Sequence, residues 1–153
     1  KITNITLKNI DSNVTKLNNG YFLSYCVGIN YIDLSEMKEF TDLKDHFLFY
    51  VGMLSLDMSM FTKLTNVGDY FLYGNTTMHT LWVPLKYADT ITVGNYALGY
   101  NTLDPEYESH PDKMQIICGD YLDGYVSSTK WNPSTEKYPS GKRTSIMFAE
   151  QQF

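Results

Sequence analysis

The stretch VGDYFLYGNTTMHTLWVP, Val67 to Pro84, crowds Tyr70, Phe71, Tyr73, His79 and Trp82 together. Taken alone it has the look of an aromatic pocket. Its neighbours along the chain say otherwise. Leu72 in GDYFLYG is matched by Leu23 in NGYFLSY, Leu48 in KDHFLFY and Leu98 in GNYALGY, at intervals of 25, 24 and 26 residues. Phe22, Phe47, Phe71 and Ala97 precede these leucines, and Tyr21, His46, Tyr70 and Tyr96 come one position earlier. Before those stand Gly20, Asp45, Asp69 and Asn95, and Leu17, Leu43, Val67 and Val93 lead the units in. Recurrence in phase at this spacing marks stacked repeats.

The second half of each unit recurs as well. Met78-x-x-Leu81-x-Val83-Pro84 is echoed by Ile29-x-x-Ile32-x-Leu34-Ser35 and, one residue earlier in its unit, by Met53-x-x-Leu56-x-Met58-Ser59. Ile2-x-x-Ile5-x-Leu7 repeats this half with nothing before it, so the chain opens in mid-unit, as a piece of a longer array or as an N-terminal cap. Side chains alternate across a strand, so Ile5/Leu7, Ile32/Leu34, Leu56/Met58 and Leu81/Val83 each put two apolar groups on one face. Stacked one strand spacing apart, they predict a continuous parallel ladder. The aromatic-leucine segment turns the chain back and fills the interior from the other side. One unit cannot bury its own apolar face; three or more stacked units can.

This pattern resembles the BspA-like class of leucine-rich repeats, I-G-x-x-A-F-x-x-C-x-x-L-x-x-I-x-L-P, most closely where Val67, Gly68, Leu72, Met78, Leu81, Val83 and Pro84 meet the motif. Cys26, Asn75 and Asn101 occupy its Cys/Asn position. The resemblance implies a leucine-rich-repeat solenoid, mostly β, with short or helical turns on the return side, a right-handed superhelix and a C-terminal cap. It divides residues 1–131 into a partial repeat (1–14), repeats at 15–40, 41–64, 65–91 and 92–119, and a cap at 120–131. Residues 132–153 form a tail or a final strand through SIMFA. An insertion, TLDPEYESHPDK, delays the next apolar strand; there Met114-x-x-Ile117 and Ile116-x-Cys118 both remain open as its apolar pair. Tyr121, Tyr125 and Trp131 are the expected cap residues.

Composition narrows the function classes. Charged residues make up 19% and hydrophobic ones 43%, a folded chain and not a disordered tail. Twelve basic against seventeen acidic residues, a net charge of −5, argue against nucleic acid, whose binding rests on clustered Lys and Arg. The longest apolar run, near Phe47 to Leu56, is too short for a membrane helix. Cys26 and Cys118 have no metal-ligand spacing and read as buried thiols. No signal peptide is visible in the sequence, which opens on Lys1 and not Met, as a mature form or an excised piece would. Three sequons occur, Asn4-Ile5-Thr6, Asn13-Val14-Thr15 and Asn75-Thr76-Thr77, of consequence only in a eukaryotic secretory host.

The residues flanking the buried strand pairs should point outward: Tyr31, Asp33 and Ser35; Ser55, Asp57 and Ser59; Thr80, Trp82 and Pro84. The ligand-binding face is therefore expected at Tyr31, Asp33, Ser55, Asp57, Thr80 and Trp82. Trp82 is either a binding hot spot or a ring packed over Asp57. Asp33 and Asp57 should stack on adjacent rungs, as a carboxylate pair or as solvated face residues. The insertion, with Glu106, Tyr107 and His110, is a second place for a ligand. His46, His79 and His110 form no ligand pair, and no nucleophile motif or phosphate loop occurs. The expectation is a non-enzymatic, cofactor-free binding module, extracellular or at the cell surface, monomeric, taking a protein or glycan, with a stalk segment that binds nothing as the alternative.

Overall fold

The computed structural model describes residues 2–75, 77–98, 114–132 and 146–151. Within them the chain forms parallel-strand sheets and few helices. Strands β1 (Asn4–Thr6), β2 (Tyr31–Asp33), β3 (Ser55–Asp57), β5 (Thr80–Trp82), β7 (Met114–Ile117) and β8 (Ile146–Ala149) carry the I-x-L half-units and the final apolar segments. Two shorter strands, β4 (Asn66–Val67) and β6 (Thr92–Val93), sit at the lead-in positions. One helix, α1 (Leu122–Ser127), follows β7.

Equivalent residues of successive units pair in parallel. Ile5 lies opposite Ile32, Leu56 opposite Leu81, Leu81 opposite Ile116 and Ile116 opposite Phe148. This register resolves the strand after the insertion, because Ile116 takes the Leu81 slot and Cys118 the Val83 slot, both fully buried. The continuous ladder does not form among the described residues. Strands β1–β2 make one sheet and β3–β5–β7–β8 another. Leu54 N–H still donates to Asn30 C=O (3.0 Å) across the gap. Regular pairing lapses in the unit where Leu48 to Met53 is one residue shorter than Leu23 to Ile29 or Leu72 to Met78. A second parallel column, which the apolar pattern does not announce, runs Lys16–Asp42–Asn66–Thr92 beside the lead-in aliphatics.

The core lies between these columns. Leu56, Met58, Leu81 and Val83 enter from the strands, Phe47, Leu48, Phe71, Leu72 and Leu98 from the turns, and Leu43 and Val67 from the lead-ins, each essentially solvent-free. Each such side chain contributes about 1.5–3 kcal/mol by burial. Ile5, Leu7, Leu17, Phe22 and Leu23 of the first units are only partly buried. At the far end Trp131 stands edge-on to Phe71 (5.8 Å) and Tyr125 (5.3 Å), and Tyr125 Oη donates to Pro84 C=O (2.8 Å). Burial pushes the Tyr125 phenol pKa upward, with smaller contributions from Cys118 and Tyr121.

The aromatic-leucine turns have an unusual backbone. Every second residue has positive φ: Tyr21, Leu23 and Tyr25; Lys44, His46, Leu48 and Tyr50; Tyr70 and Leu72; Tyr96 and Leu98, all between 50° and 63°. For residues with a Cβ this conformation costs roughly 1–2 kcal/mol each. Alternation turns successive N–H groups sideways, where they bond to the next or the preceding unit. Tyr21 donates to Asp45 (2.9 Å), His46 to Asp69 (2.8 Å), Tyr70 to Asn95 (2.8 Å), Leu48 back to Phe22 (3.0 Å), Leu72 to Phe47 (3.0 Å) and Leu98 to Phe71 (2.8 Å). Backbone pairing between turns offsets the local strain.

Two side chains lock this arrangement. Asp45 Oδ1 accepts from Asp69 N–H (2.8 Å), and Asp69 Oδ1 accepts from Asn95 N–H (2.7 Å). The glycines just before the two donating residues, Gly68 before Asp69 and Gly94 before Asn95, make the room. A Cβ on Gly68 would lie 1.8 Å from Asp45 Oδ1, and one on Gly94 2.5 Å from Asp69 Oδ1. Asn75, in the Cys/Asn position, is fully buried. Its Oδ1 accepts from Gly52 N–H (3.0 Å) and Met53 N–H (3.3 Å), while its Nδ2 donates to Leu48 C=O (2.9 Å) and Leu72 C=O (3.1 Å).

Candidate functional site

The strand face is less open than the alternation rule suggests. Tyr31, Asp33 and Asp57 are exposed and Ser55 half-exposed, but Thr80 is only 9% exposed and Pro84 is buried. Trp82 is half-buried, in register between Asp57 of β3 and Ile117 of β7. The correction at Thr80 and Trp82 has one cause. Their strand is flanked on both sides, by β3 and by β7, whereas Tyr31 belongs to a two-stranded sheet. Lateral neighbours shade a central strand on both faces.

No ladder pairing joins β2 to β3, so Asp33 and Asp57 are not register partners. Each instead ends its strand. Asp33 Oδ1 accepts from Ser35 N–H (2.9 Å), and Asp57 Oδ1 from Ser59 N–H (2.8 Å) and Ser59 Oγ (2.6 Å). Hydrogen bonds from Ser35 hold the Asp33 carboxyl below its ordinary pKa. These are turn-forming aspartates, with the local bonding typical of Asp two residues before a free N–H. Among the described residues no group of three His, Cys, Asp or Glu side chains is placed to hold a metal. Glu106, Tyr107 and His110 lie outside the described residues.

The turn face holds the largest organised aromatic surface in the described chain. Tyr21, His46, Tyr70 and Tyr96 stack in one column, with centroid spacings of 4.1, 4.9 and 5.2 Å and interplanar angles of 20° or less. Behind it Phe22, Phe47 and Phe71 stack at 5.3 and 5.8 Å in the core. Beside it Tyr25 lies parallel to Tyr50 (5.9 Å) and Phe49 to Tyr73 (5.5 Å). Tyr21, Tyr25 and Tyr96 are 58%, 62% and 65% exposed. The sequence places these tyrosines in the core and its turns; the structure sends phenylalanine and leucine inward and leaves the tyrosines at the surface. The signal that could have separated them is the adjacent pairing of Tyr with Phe-Leu in Tyr21-Phe22-Leu23 and Tyr70-Phe71-Leu72. A polar-tipped ring and an apolar one side by side mark a boundary.

A groove of about 300 Å³ opens on this face between Tyr25, Val27, Tyr50, Val51, Gly52 and Gly74. Gly74 is required there, because a Cβ would sit 2.6 Å from the Tyr50 ring. A second groove, about 400 Å³, lies beside α1 between Tyr87, Asp89, Ser127, Ser128 and Thr129. His46 is held in the aromatic column with its Nδ1 buried and without a hydrogen-bond partner among the described residues, and His79 is exposed on the strand side. Cys118 is buried, which pushes its thiol up to about 12, and Cys26 is partly buried. No described helix is long and apolar enough to cross a membrane.

Neither the protein-family models, nor the curated proteins, nor the solved structures contain a match to this chain.

Proposed function

We propose that the chain is a leucine-rich-repeat solenoid of the BspA-like kind, acting as a non-enzymatic binding module of a surface or secreted protein. Its ligand is a protein or a glycan. The observation that carries this reading is the row of exposed tyrosines on the turn face, Tyr21, Tyr25 and Tyr96, held in fixed positions by the turns beneath them. Tyrosine is favoured at recognition surfaces because a rigid ring offers large contact area with a polar tip. An organised aromatic patch of this kind is uncommon on a surface that meets only water. Tyr31, exposed on the strand side, offers a smaller second contact.

A competing reading, a stalk segment with no ligand of its own, draws on a different observation. The column rings cover one another's faces at 4.1 to 5.2 Å, which serves stiffness as well as display. The two readings separate in one experiment. The chain and a Tyr25→Ser/Tyr96→Ser variant are applied to a glycan array and to immobilised extracellular-matrix proteins. Binding by the parent that the variant loses, at unchanged melting temperature, supports the module. Equal signals from parent and variant, or none from either, favour the stalk.

A further inference from the structure

The three sequons do not stand alike in the folded chain. We infer that Asn4 and Asn13 are acceptor sites for N-linked glycan, and that the fold closes the third site, Asn75. Asn4 and Asn13 are exposed, and neither carboxamide bonds to any described residue. Asn13 lies in the turn closed by Val14 N–H to Asp11 C=O (2.9 Å), and Asn4 lies on β1, which pairs with β2 alone among the described residues. Thr6 and Thr15 are exposed as well, and their hydroxyls donate to no described residue. In both sequons the amide and the hydroxyl two residues on are therefore presented to solvent.

Asn75 is the opposite case in every respect. Its carboxamide is fully buried, and both Nδ2 hydrogens are committed, to Leu48 C=O and Leu72 C=O. The Thr77 hydroxyl shares its one proton between Gly52 C=O (2.9 Å) and Met53 C=O (3.2 Å). Glycan transfer from a lipid-linked pyrophosphoryl oligosaccharide forms a bond from Nδ2 to the first sugar's anomeric carbon. The bond from that carbon to the pyrophosphate breaks, the lipid pyrophosphate leaves and one amide proton is lost to base. A glycosylated Asn75 would thus lack one of its two donors and would need a path to solvent through a closed core. Glycan at Asn75 and the native fold exclude each other. Glycans at Asn4 and Asn13 would gather at the first half-unit, Asn4 beside Tyr31 in the ladder, and leave the tyrosines of the later turns uncovered.

The test is secretion of the full chain from a eukaryotic culture, followed by peptide mapping of the folded, monodisperse fraction. Occupied Asn4 and Asn13 with bare Asn75 are expected, and Asn4→Gln and Asn13→Gln each remove one glycan. A bare Asn4 or Asn13, or a glycan on Asn75 in a chain with native circular dichroism and melting, overturns the inference. If the whole product is retained unfolded with Asn75 modified, Thr77→Val, which destroys the sequon, is compared with Thr77→Ser, which keeps it. Secretion restored by Val alone supports the inference, and retention of both overturns it.

Discussion

Asn75→Ala removes a side chain that satisfies four backbone groups at once. Gly52 and Met53 lose their acceptor, and Leu48 and Leu72 lose their donor. None of the four has another partner within the described residues. A buried polar group left unpaired costs about 1–3 kcal/mol. Gly52 lies at the margin of the turn and regains water, while Leu48 and Leu72 are fully buried. The expected loss is therefore about 3–6 kcal/mol, a large part of the roughly 5–15 kcal/mol that holds a domain folded. The melting temperature should drop by roughly 10–20 °C. Urea titration followed by tryptophan fluorescence reads this directly, because Trp131 is buried against Phe71 and Tyr125. Asn75→Asp keeps the shape but places a buried carboxylate oxygen against two carbonyls. It should be at least as unstable as alanine at neutral pH and recover in part as acid protonates it, since the acid form donates one hydrogen bond. A loss below about 1 kcal/mol for the alanine variant would mean that those groups find other partners, and the account of the Cys/Asn position would fail.

Gly68→Ala should destabilise by about 1–3 kcal/mol, because the new Cβ displaces Asp45 Oδ1 from the Asp69 N–H. An unchanged urea midpoint would refute the interlock. Iodoacetamide at pH 8 should label Cys26 in the native protein and Cys118 only after unfolding, since burial raises the Cys118 thiol to about 12; equal rates would contradict this. Burial opposes the Asp42 carboxylate, but hydrogen bonds from Lys44 and Asn66 outweigh it and hold its pKa below the ordinary 3.8. A depressed carboxyl contributes stability that is present above its unfolded pKa and lost as pH falls through the folded one. Asp42→Asn should therefore melt below the parent at pH 7, and the gap should close as pH falls below about 4. A gap that persists at pH 2 would assign the effect to packing.

Much of the architecture was legible as spacing. Ile32/Leu34, Leu56/Met58 and Leu81/Val83 recur in phase, and they pack into the core from short strands that pair in parallel wherever pairing forms. The second column at Lys16, Asp42, Asn66 and Thr92 was not legible, because its members share backbone position and no common side-chain chemistry. The strand face was half legible. Alternation says which side of a strand Thr80 and Trp82 occupy, but not that strands on both flanks would shade them.

Sequence alone determined the period, the apolar pairs and the class of side chain in each turn slot. These are properties of order along the chain, and burial follows them because hydrophobic gain depends on little besides area. Tertiary structure decided the rest. Tyr21, Leu48, Tyr70 and Leu72 have no local reason to adopt positive φ, and in isolation the chain would avoid it. They adopt it because neighbouring units supply carbonyls to the N–H groups that this conformation turns sideways. The same condition applies to Asn75, whose four partners belong to two different turns. It also applies to the tyrosine row, whose rings hold their positions because each has another ring above or below it.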